Sequence, residues 1–379
     1  MASFQTKPHY HTLDGLRGVA ALVVIVYHVF ECFDWTPLPH GYLSVDFFFV
    51  LSGFVIGYAY DDRWSHGLTT PRFFVRRLIR LHPMVIAGAV LGAVCFFIQG
   101  SVTWSGQKVA TSMVMIALLL NVFMVPLPVG ARPDVRGNGE LFPLNGPNWS
   151  LFFEYLGNIF YALLLRRLST RALAVVTCML GAALTAISLH DGFLGVGWSM
   201  ADGGLWTGMV RMLFPYSMGM LLARVFRPAA VRHAFWKCAA LIVAVACLPL
   251  ALPAMPAWCN GAYDAACVLF LFPAVVWLGA SEAHCSTPTR RVSCMLGDLS
   301  YPLYAVHYPL MYLFYAHIGF DGNLVPIEVL NRVWPVAVCL PLASIALAWA
   351  TMKCYDLPVR RRLSHLALRH RRQADNTSR

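Results

Sequence analysis

Residues 13–31 read LDGLRGVAALVVIVYHVFE, and this stretch decides the fold class. The apolar run that it opens, over residues 16–33, has the length of a helix that crosses a bilayer, which takes about 20 residues. The polar residues before it lack the basic-then-apolar design of a cleaved signal peptide. We therefore expect the run to stay in the protein as a transmembrane helix.

The composition extends this interpretation to the whole chain. Of the 379 residues, 58% are hydrophobic and only 12% are charged, and the mean hydropathy is +0.61. Soluble domains carry about a quarter of charged residues, so an ordinary soluble globule is excluded, as is a disordered chain. The 11 cysteines form no CxxC pair, so we interpret them as small buried hydrophobic residues. We predict no metal site and no permanently bound cofactor.

Eleven stretches of the chain have the length and apolar character of a membrane span. They cover residues 16–33, 42–60, 83–100, 109–128, 147–165, 171–189, 203–223, 238–255, 261–280, 296–318 and 333–353. We therefore predict an all-α membrane protein with one polytopic domain over residues 13–354. A cytoplasmic segment, 1–12, precedes it, and a basic cytoplasmic tail, 355–379, follows it.

The loop charges predict the orientation, because Lys and Arg beside a span hold a loop on the cytoplasmic side. Several basic residues lie in each of the loops 61–82, 224–237 and 281–295, and none lies in 34–41, 190–202 or 254–260. Both termini are then cytoplasmic, which requires an even number of spans. We predict about ten full spans and one re-entrant or interfacial segment between residues 83 and 165. The alternative to such a segment is that Arg166, Arg167 and Arg171 lie on the external side of the membrane.

The net charge of +11 follows from this topology and does not indicate a nucleic-acid partner. Many of the basic residues lie beside spans or in the tail, where they report orientation. We expect Arg360, Arg361 and Arg362, together with the cluster from Arg369 to Arg372, to meet the anionic headgroups of membrane lipids.

Two polar residues of the first span, Arg17 and His28, lie on one helix face. Their separation of 11 residues is three turns plus about 20° at ~100° per residue, and roughly 16 Å along the axis. An ionisable group inside a span is a candidate functional site, because its burial is costly. His28 is also compatible with helix packing, and Arg17 with a positive-inside anchor.

Polar residues interrupt other spans as well: Asp46, Ser52, Trp149, Glu154, Arg211, Asp264, Ser300, Tyr304 and His307. Individual packing roles exist for some of them. Asp46 would contact interfacial water, Ser52 would allow close helix approach, and Glu154 and Arg211 would neutralise each other. Breaks in so many different helices favour a cavity lined by these side chains.

The stretch PRFFVRRLIRLHP over residues 71–83 carries basic residues that are all arginine. Arg77 and Arg80 are three residues apart and so share a helix face, and we expect Pro83 to open the next span. A topological anchor would work as well with lysine, whereas the planar fork of arginine suits bidentate phosphate contacts. Both interpretations stay open on this evidence.

These segments together resemble the membrane-bound acyltransferase-3 family, whose members acylate sugars and other envelope molecules. The resemblance rests, in chain order, on LDGLRG followed by His28, VDFFFVLSGF, RRLIRLHP, NWSLFFE and LGDLSYPLYAVHYPL. It spans residues 13 to 310. The arginine, ten residues, histidine pattern of the family falls on Arg17 and His28, and its paired-arginine motif falls on Arg77 and Arg80.

The resemblance implies an O-acyltransferase that moves an acyl group, usually acetyl, from cytoplasmic coenzyme A to a sugar hydroxyl. The sugar would belong to a cell-surface or exported glycan, or be carried on a lipid, and the protein would lie in a bacterial inner membrane. Many relatives carry a second, extracytoplasmic domain. This chain ends in a short tail, so we expect any such partner to be a separate protein of polysaccharide synthesis or export.

The resemblance also implies roles for the motif residues. Arg17, Arg77 and Arg80 would hold the anionic nucleotide end of acyl-CoA, and His28 would serve as the base for the sugar hydroxyl, since imidazole titrates near neutral pH. An acyl-imidazole intermediate on His28 is the alternative path. Asp46, Ser52, Trp149, Glu154, Arg211, Tyr304 and His307 would line the cavity.

The rival class is a transporter or flippase of an envelope glycan or small molecule, without acyl chemistry. Intramembrane His, Glu and Arg residues also build proton-coupled pathways. Transporters often contain two-fold internal repeats, and this chain has no second copy of LDGLRG. The sequence therefore favours the acyltransferase.

Overall fold

The computed structural model describes residues 9–248 and 255–377, and most of these residues are helical. A helix satisfies its own peptide hydrogen bonds, as the water-free interior of a bilayer requires. In chain order the α-helices are α1 (His11–Phe30), α2 (Ser44–Ser65), α3 (Thr70–Ile98), α4 (Thr111–Val122), α5 (Asn148–Leu163), α6 (Thr170–Asp191), α7 (Gly204–Val225), α8 (Ala234–Cys247), α9 (Ala257–Ala266), α10 (Phe272–Ala280), α11 (Thr287–Val306), α12 (Tyr308–His317), α13 (Leu330–Thr351) and α14 (Leu357–Thr377).

The remaining elements are short. Two π-helical turns, Cys267–Leu271 and Met352–Asp356, join α9 to α10 and α13 to α14. Four 3-10 turns occupy Gly41–Leu43, Leu165–Arg167, Ala201–Gly203 and Ile327–Val329. In the described residues, the strands are β1 (Val231–Arg232) and β2 (Glu282–His284), which pair in parallel. The prediction of a mostly helical chain is confirmed.

Within residues 9–248 and 255–377, six helical runs are long and apolar enough to cross a membrane: His11–Phe30, Gly41–Ser65, Thr70–Ile98, Thr170–Asp191, Ala257–Ala280 and Ile327–Leu368. The predicted spans overlap helices throughout the chain, although residues 249–254 of the eighth lie outside the described residues. The total of about ten spans stays a prediction.

The region between residues 83 and 165, where we predicted an irregular segment, contains a helix that is too short to be a span. The 12 residues of α4 rise about 18 Å, against a hydrocarbon core of about 30 Å. Residues 123–147 follow it without an α-helix, yet Leu141, Phe142 and Leu144 are fully buried. Such irregular backbone lies against other parts of the protein and not against lipid.

The predicted basic loop 61–82 is wrong in extent. Helices α2 and α3 continue through most of it and leave only residues 66–69 as the connection. The 29 residues of α3 rise about 44 Å, so its arginine-rich first turns extend beyond a bilayer core of about 30 Å. Pro83, expected at the start of a span, lies inside this helix.

Close backbone contacts hold two helix pairs that carry predicted site residues. A Cβ atom on Gly53 of α2 would lie 1.9 Å from the Tyr216 carbonyl oxygen of α7, and one on Gly219 of α7 would lie 2.0 Å from that of Val50. Glycine is therefore required at both positions for α2 and α7 to touch. Likewise, a Cβ on Gly18 of α1 would lie 2.5 Å from Leu296 of α11.

Helices α11 and α12 are separated at His307, next to a proline. Pro309 lacks an N–H group and cannot continue the hydrogen-bond ladder of the helix. The ring of His307 lies within hydrogen-bonding distance of two carbonyl oxygens of α11, with Nδ1 at 3.0 Å from Leu303 O and 2.9 Å from Tyr304 O. At this break, the backbone carbonyls of Leu303 and Tyr304 therefore hold the His307 ring in place.

Candidate active site

In the described part of the chain, α1 contributes to two cavities within the helix bundle. The first, of about 460 Å³, is lined by His28 and is named here the His28 cavity. The second, of about 860 Å³, is lined by Arg17 and five further arginines and is named the arginine cavity. The alignment of Arg17 and His28 along α1 therefore places one residue in each cavity.

A carboxylate lies directly beside His28. Its Nδ1 is 2.8 Å from Oε2 of Glu31, which is an ion-pair distance, although the alignment does not meet hydrogen-bond geometry. The His28 ring also packs against the edge of Tyr308, with centroids 4.7 Å apart, and stacks on His307 at 5.4 Å. His28 is thus held between a carboxylate and two rings, with 17% of its side chain exposed.

Glu31 is fixed by two tyrosines of α12. The hydroxyls of Tyr308 and Tyr315 both donate to Oε1 of Glu31 at 2.8 Å. This leaves Oε2 free to face His28. The Tyr315 hydroxyl also donates to the backbone carbonyl of His28.

The rest of the His28 cavity is aromatic and acidic. Its walls include Trp104, Trp149, Trp198, Tyr27, Tyr42, Tyr308 and Tyr312. Glu140, from the irregular segment 123–147, accepts hydrogen bonds from the Tyr312 hydroxyl and, at 2.8 Å, from Asn138 Nδ2. Burial is the main influence on the Glu140 carboxyl and raises its pKa. The cavity thus offers ring faces beside carboxylate oxygens.

The arginine cavity carries more positive than negative side chains. Its lining includes the arginines Arg17, Arg76, Arg77, Arg80, Arg360 and Arg361 and two acidic residues, Asp14 and Glu154. Such an excess of cations favours an anionic ligand.

Two of these arginines are fixed by neighbouring helices. Arg17 donates from Nε to Ser300 Oγ at 2.8 Å and lies 3.2 Å from Asp14. Arg77 is 2.7 Å from Glu154, which also accepts from the Ser52 hydroxyl at 3.2 Å. Three of the predicted residues, from α2, α3 and α5, thus form one group.

Arg80 is different from these two. In the described parts of the chain it has no carboxylate within ion-pair distance and no hydrogen-bond partner. It lines the arginine cavity next to Arg77 and is half-buried. A half-buried guanidinium without a counter-charge is available to a bound anion.

The two cavities meet at a wall formed around Tyr304. Both are lined by Tyr304 and Val45. The Tyr304 hydroxyl hydrogen-bonds to Ser150 Oγ at 2.6 Å, and its ring contacts Phe48 edge-on at 5.5 Å. We call Val45, Phe48, Ser150 and Tyr304 the septum. A molecule that extends from one cavity to the other at this place would contact these residues.

The structure distributes the predicted site residues between these features. Arg17, Ser52, Arg77, Arg80 and Glu154 line the arginine cavity, His28, Trp149 and Arg211 line the His28 cavity, and Tyr304 lines both. Asp46 and His307 are fully buried and, among the described residues, do not line either of these two cavities. Asp46 instead pairs with Arg211, and His307 stacks on His28.

The expected partners of Asp46 and Arg211 are wrong. The fully buried Asp46 does not touch interfacial water but pairs with Arg211, with Arg211 Nε at 2.9 Å from Oδ1 and NH2 at 2.7 Å from Oδ2. Arg211 also donates to the carbonyls of Val196 and Tyr42 and packs over the Trp149 ring at 5.2 Å. Glu154 pairs with Arg77 instead.

Several residues of the cavities were missed in the sequence. Tyr308, Tyr312 and Tyr315 are spaced at i, i+4 and i+7, which is the signal of one helix face. Glu140 and Trp104 lie outside the predicted spans, so no span pattern pointed to them. The described residues contain no group of three His, Cys, Asp or Glu side chains placed to hold a metal ion.

Comparison with known proteins places this chain in a family. The family model acyltransferase 3, described as an acyltransferase domain, matches residues 10–353. The protein named Protein 2 in picA locus, from Rhizobium radiobacter, is 38% identical over 157 residues, which are 40% of this chain and 79% of that protein.

Two further relatives carry names that describe an activity. Acyltransferase MdmB of Streptomyces mycarofaciens is 26% identical over 361 residues, which are 89% of this chain and 87% of that protein. Peptidoglycan O-acetyltransferase OatA of Listeria monocytogenes is 37% identical over 82 residues, 21% of this chain and 12% of that protein. No solved structure matches the chain.

Proposed function

This chain belongs to the acyltransferase-3 family of membrane proteins, and we propose from that premise that it moves an acetyl group from acetyl-CoA to a hydroxyl of a cell-surface or exported glycan. One observation carries the proposal. A histidine paired with a carboxylate lies in one cavity, a cluster of arginines lies in a second, and the two cavities share the lining residues Val45 and Tyr304.

The arginine cavity is the proposed donor site. The nucleotide end of coenzyme A carries several phosphate charges, and arginine binds phosphate through two parallel hydrogen bonds. Arg80 has no counter-charge among the described residues, while Arg17 and Arg77 are already aimed by Ser300 and Glu154. The acyl-pantetheine arm would extend past Tyr304 to His28.

The His28 cavity is the proposed site of chemistry. With Nδ1 directed at Glu31, the other ring nitrogen, Nε2, is left to take the proton of the acceptor hydroxyl. The hydroxyl oxygen attacks the thioester carbonyl carbon, the C–S bond breaks, and the coenzyme A thiolate leaves and takes up a proton. In the alternative path Nε2 itself attacks the thioester carbonyl carbon, the C–S bond breaks, and the coenzyme A thiolate leaves. The acceptor hydroxyl then attacks the acyl-imidazole, the bond between Nε2 and the acyl carbon breaks, and the released imidazole takes up the hydroxyl proton.

The walls of the His28 cavity support a sugar as the acceptor. Sugar rings present apolar faces that pack on aromatic rings, and their hydroxyls donate to carboxylates such as Glu140. The peptidoglycan acetyltransferase among the relatives points to the same substrate class. A lipid-linked sugar fits this scheme as well, because the cavity lies within a membrane-embedded bundle.

The proposed orientation follows the donor. Coenzyme A is cytoplasmic, so the arginine cavity would open to the cytoplasm and both termini would lie there, with the protein in a bacterial inner membrane. About ten spans complete this topology. A separate protein of glycan synthesis or export would supply the acceptor.

Transfer from radiolabelled acetyl-CoA in membranes tests the proposal. Membranes that contain the protein should place the label on envelope glycan, and membranes of the same host without it should not. Base treatment should release the label as acetate, because an O-ester is formed. Equal labelling of both membranes contradicts the proposal, as does label that crosses the membrane without becoming covalently bound, which is the behaviour of a transporter.

The size of the septum side chains predicts which acyl group is accepted. Phe48 lines the arginine cavity and packs on Tyr304, which lines both cavities, so Phe48→Ala should widen the space beside Tyr304. We expect the rate with butyryl-CoA relative to acetyl-CoA to rise about 10-fold, in line with the cost of misfitting one or two methylenes. Competition between the two donors in membranes measures this ratio.

The matched control is Phe97→Ala, which makes the same change at an exposed position of α3. It should leave the donor ratio as in the native protein. An unchanged ratio in Phe48→Ala would mean that the septum does not select the acyl group.

A further inference from the structure

The arginine cavity has one wall that lies beyond the family match. The match ends at residue 353, whereas the helical chain continues as a π-helical turn and then as α14. The residues of α14 that line the cavity include Leu357, Arg360, Arg361, Ser364, His365 and Leu368. Their spacing of three and four residues places them on one face of the helix.

The length of this helical run places α14 outside the bilayer core. The run Ile327–Leu368 contains 42 residues, which rise about 63 Å, roughly twice the 30 Å of the hydrocarbon. Its last turns therefore reach the aqueous side of the membrane, and they pack there against α3, the helix that carries Arg77 and Arg80.

The π-helical turn fixes the start of this wall. It ends at Asp356, which is 1% exposed, and Arg360 NH1 lies 3.0 Å from Oδ2 of Asp356. A residue inserted into a helix in this way redirects the face of the following turns. The ion pair with Asp356 therefore holds the side chain of Arg360 where it lines the cavity.

We propose that α14 forms part of the donor site, with Arg360 and Arg361 binding phosphate groups of acyl-CoA opposite Arg77 and Arg80. The inference rests on the proposed function. For Arg360 and Arg361 it replaces the expectation of contact with lipid headgroups, which stays a prediction for Arg362, whereas the side chains of residues 369–372 lie outside the described part of the structure. The observation that carries it is that arginines of two different helices, α3 and α14, line the same cavity.

The neighbouring Arg362 provides a matched control. It is exposed and, among the described residues, does not belong to the cavity lining. Arg362→Ala therefore removes a positive charge next to Arg361 without changing the cavity. Lipid headgroups would be attracted by Arg362 as well, whereas a donor in the cavity would contact Arg360 and Arg361 but not Arg362.

Binding of acetyl-CoA to the full-length protein tests the inference, in detergent alone and again with phosphatidylglycerol added. We expect Arg360→Ala/Arg361→Ala to weaken acetyl-CoA binding by about 10-fold or more in both conditions, since each hydrogen bond to a charged group contributes strongly. Arg362→Ala should stay within about 2-fold of the native protein. Arg360→Lys/Arg361→Lys, which keeps the charge, should lie in between.

A second donor separates phosphate binding from a loss of structure. S-Acetylpantetheine lacks the nucleotide phosphates, so its rate of transfer should be the same in the native protein and in the double alanine variant. A double variant that binds acetyl-CoA as tightly as Arg362→Ala would overturn the inference, and so would a loss that appears only with phosphatidylglycerol. Native protein that binds no acetyl-CoA would instead contradict the proposed function itself.

Discussion

Replacing His28 by alanine is expected to lower acyl transfer by about 1,000-fold, within the range that general-base catalysis contributes. The substitution removes the nitrogen that would accept the hydroxyl proton and also the only side chain that Glu31 faces through Oε2 in the described structure. The direct-transfer path and the acyl-imidazole path both require this ring. Initial rates with labelled acetyl-CoA, at equal amounts of purified protein, measure the loss.

His82→Ala is the control for this experiment. His82 lies in α3 and contacts Tyr155, 3.2 Å from Nδ1 to the hydroxyl, and it does not belong to the lining of either described cavity. It should retain transfer within about 3-fold of the native rate. Full activity in a folded His28→Ala protein would remove the chemistry from His28.

Glu31→Gln separates positioning from basicity. The amide keeps an oxygen for Tyr308 and Tyr315 but removes the charge beside His28. If Glu31 positions His28, we expect Glu31→Gln to lower kcat less than His28→Ala does. The KM for acetyl-CoA should not change, because the donor phosphates would bind in the other cavity. A rise in KM without a change in kcat would assign Glu31 to binding instead.

Removing Asp46 is expected to cause the largest loss of stability. Asp46→Ala would leave the guanidinium of Arg211 buried without a counter-charge, with 1% of that side chain exposed. Breaking a buried ion pair by removing one partner costs about 3–5 kcal/mol. Thermal unfolding of the detergent-solubilised protein should show a clearly lowered midpoint and a lower yield of monodisperse protein.

The double variant Asp46→Leu/Arg211→Met shows whether the charge or the packing matters. Replacing both partners by apolar side chains removes the unpaired charge and is often neutral for stability. We expect it to unfold at a higher temperature than Asp46→Ala. It should still be impaired in transfer, because Arg211 lines the His28 cavity and holds the backbone of Tyr42. A double variant less stable than Asp46→Ala would show that shape, and not charge, dominates at this site.

The sequence predicted well what a single helix determines. The rise and turn of an α-helix fix where Arg17 and His28 lie relative to each other, and the structure places them in two cavities along α1. Hydropathy located the helices because a bilayer demands long apolar runs. The all-α class followed from these patterns, whereas the family was identified from the resemblance of five sequence motifs.

What the sequence did not predict depends on how helices pack. Asp46 and Arg211 are 165 residues apart, and the spacing along either helix does not reveal that α2 and α7 touch at Gly53 and Gly219. Glu154 was therefore assigned to Arg211 and not to Arg77. Glu140 belongs to backbone without a repeating pattern, and its place beside Tyr312 comes only from tertiary structure.

The septum also bears on how well the membrane retains its ion gradients. Moving one elementary charge across a membrane at 100 mV releases about 2.3 kcal/mol, so any continuous water path through the bundle would drain the proton gradient. The hydrogen-bonded pair of Tyr304 and Ser150, with Phe48 beside it, lies where the linings of the two cavities meet. In the proposed reaction the arm of the donor would occupy this place and exclude water, so that acyl transfer would open no path for ions.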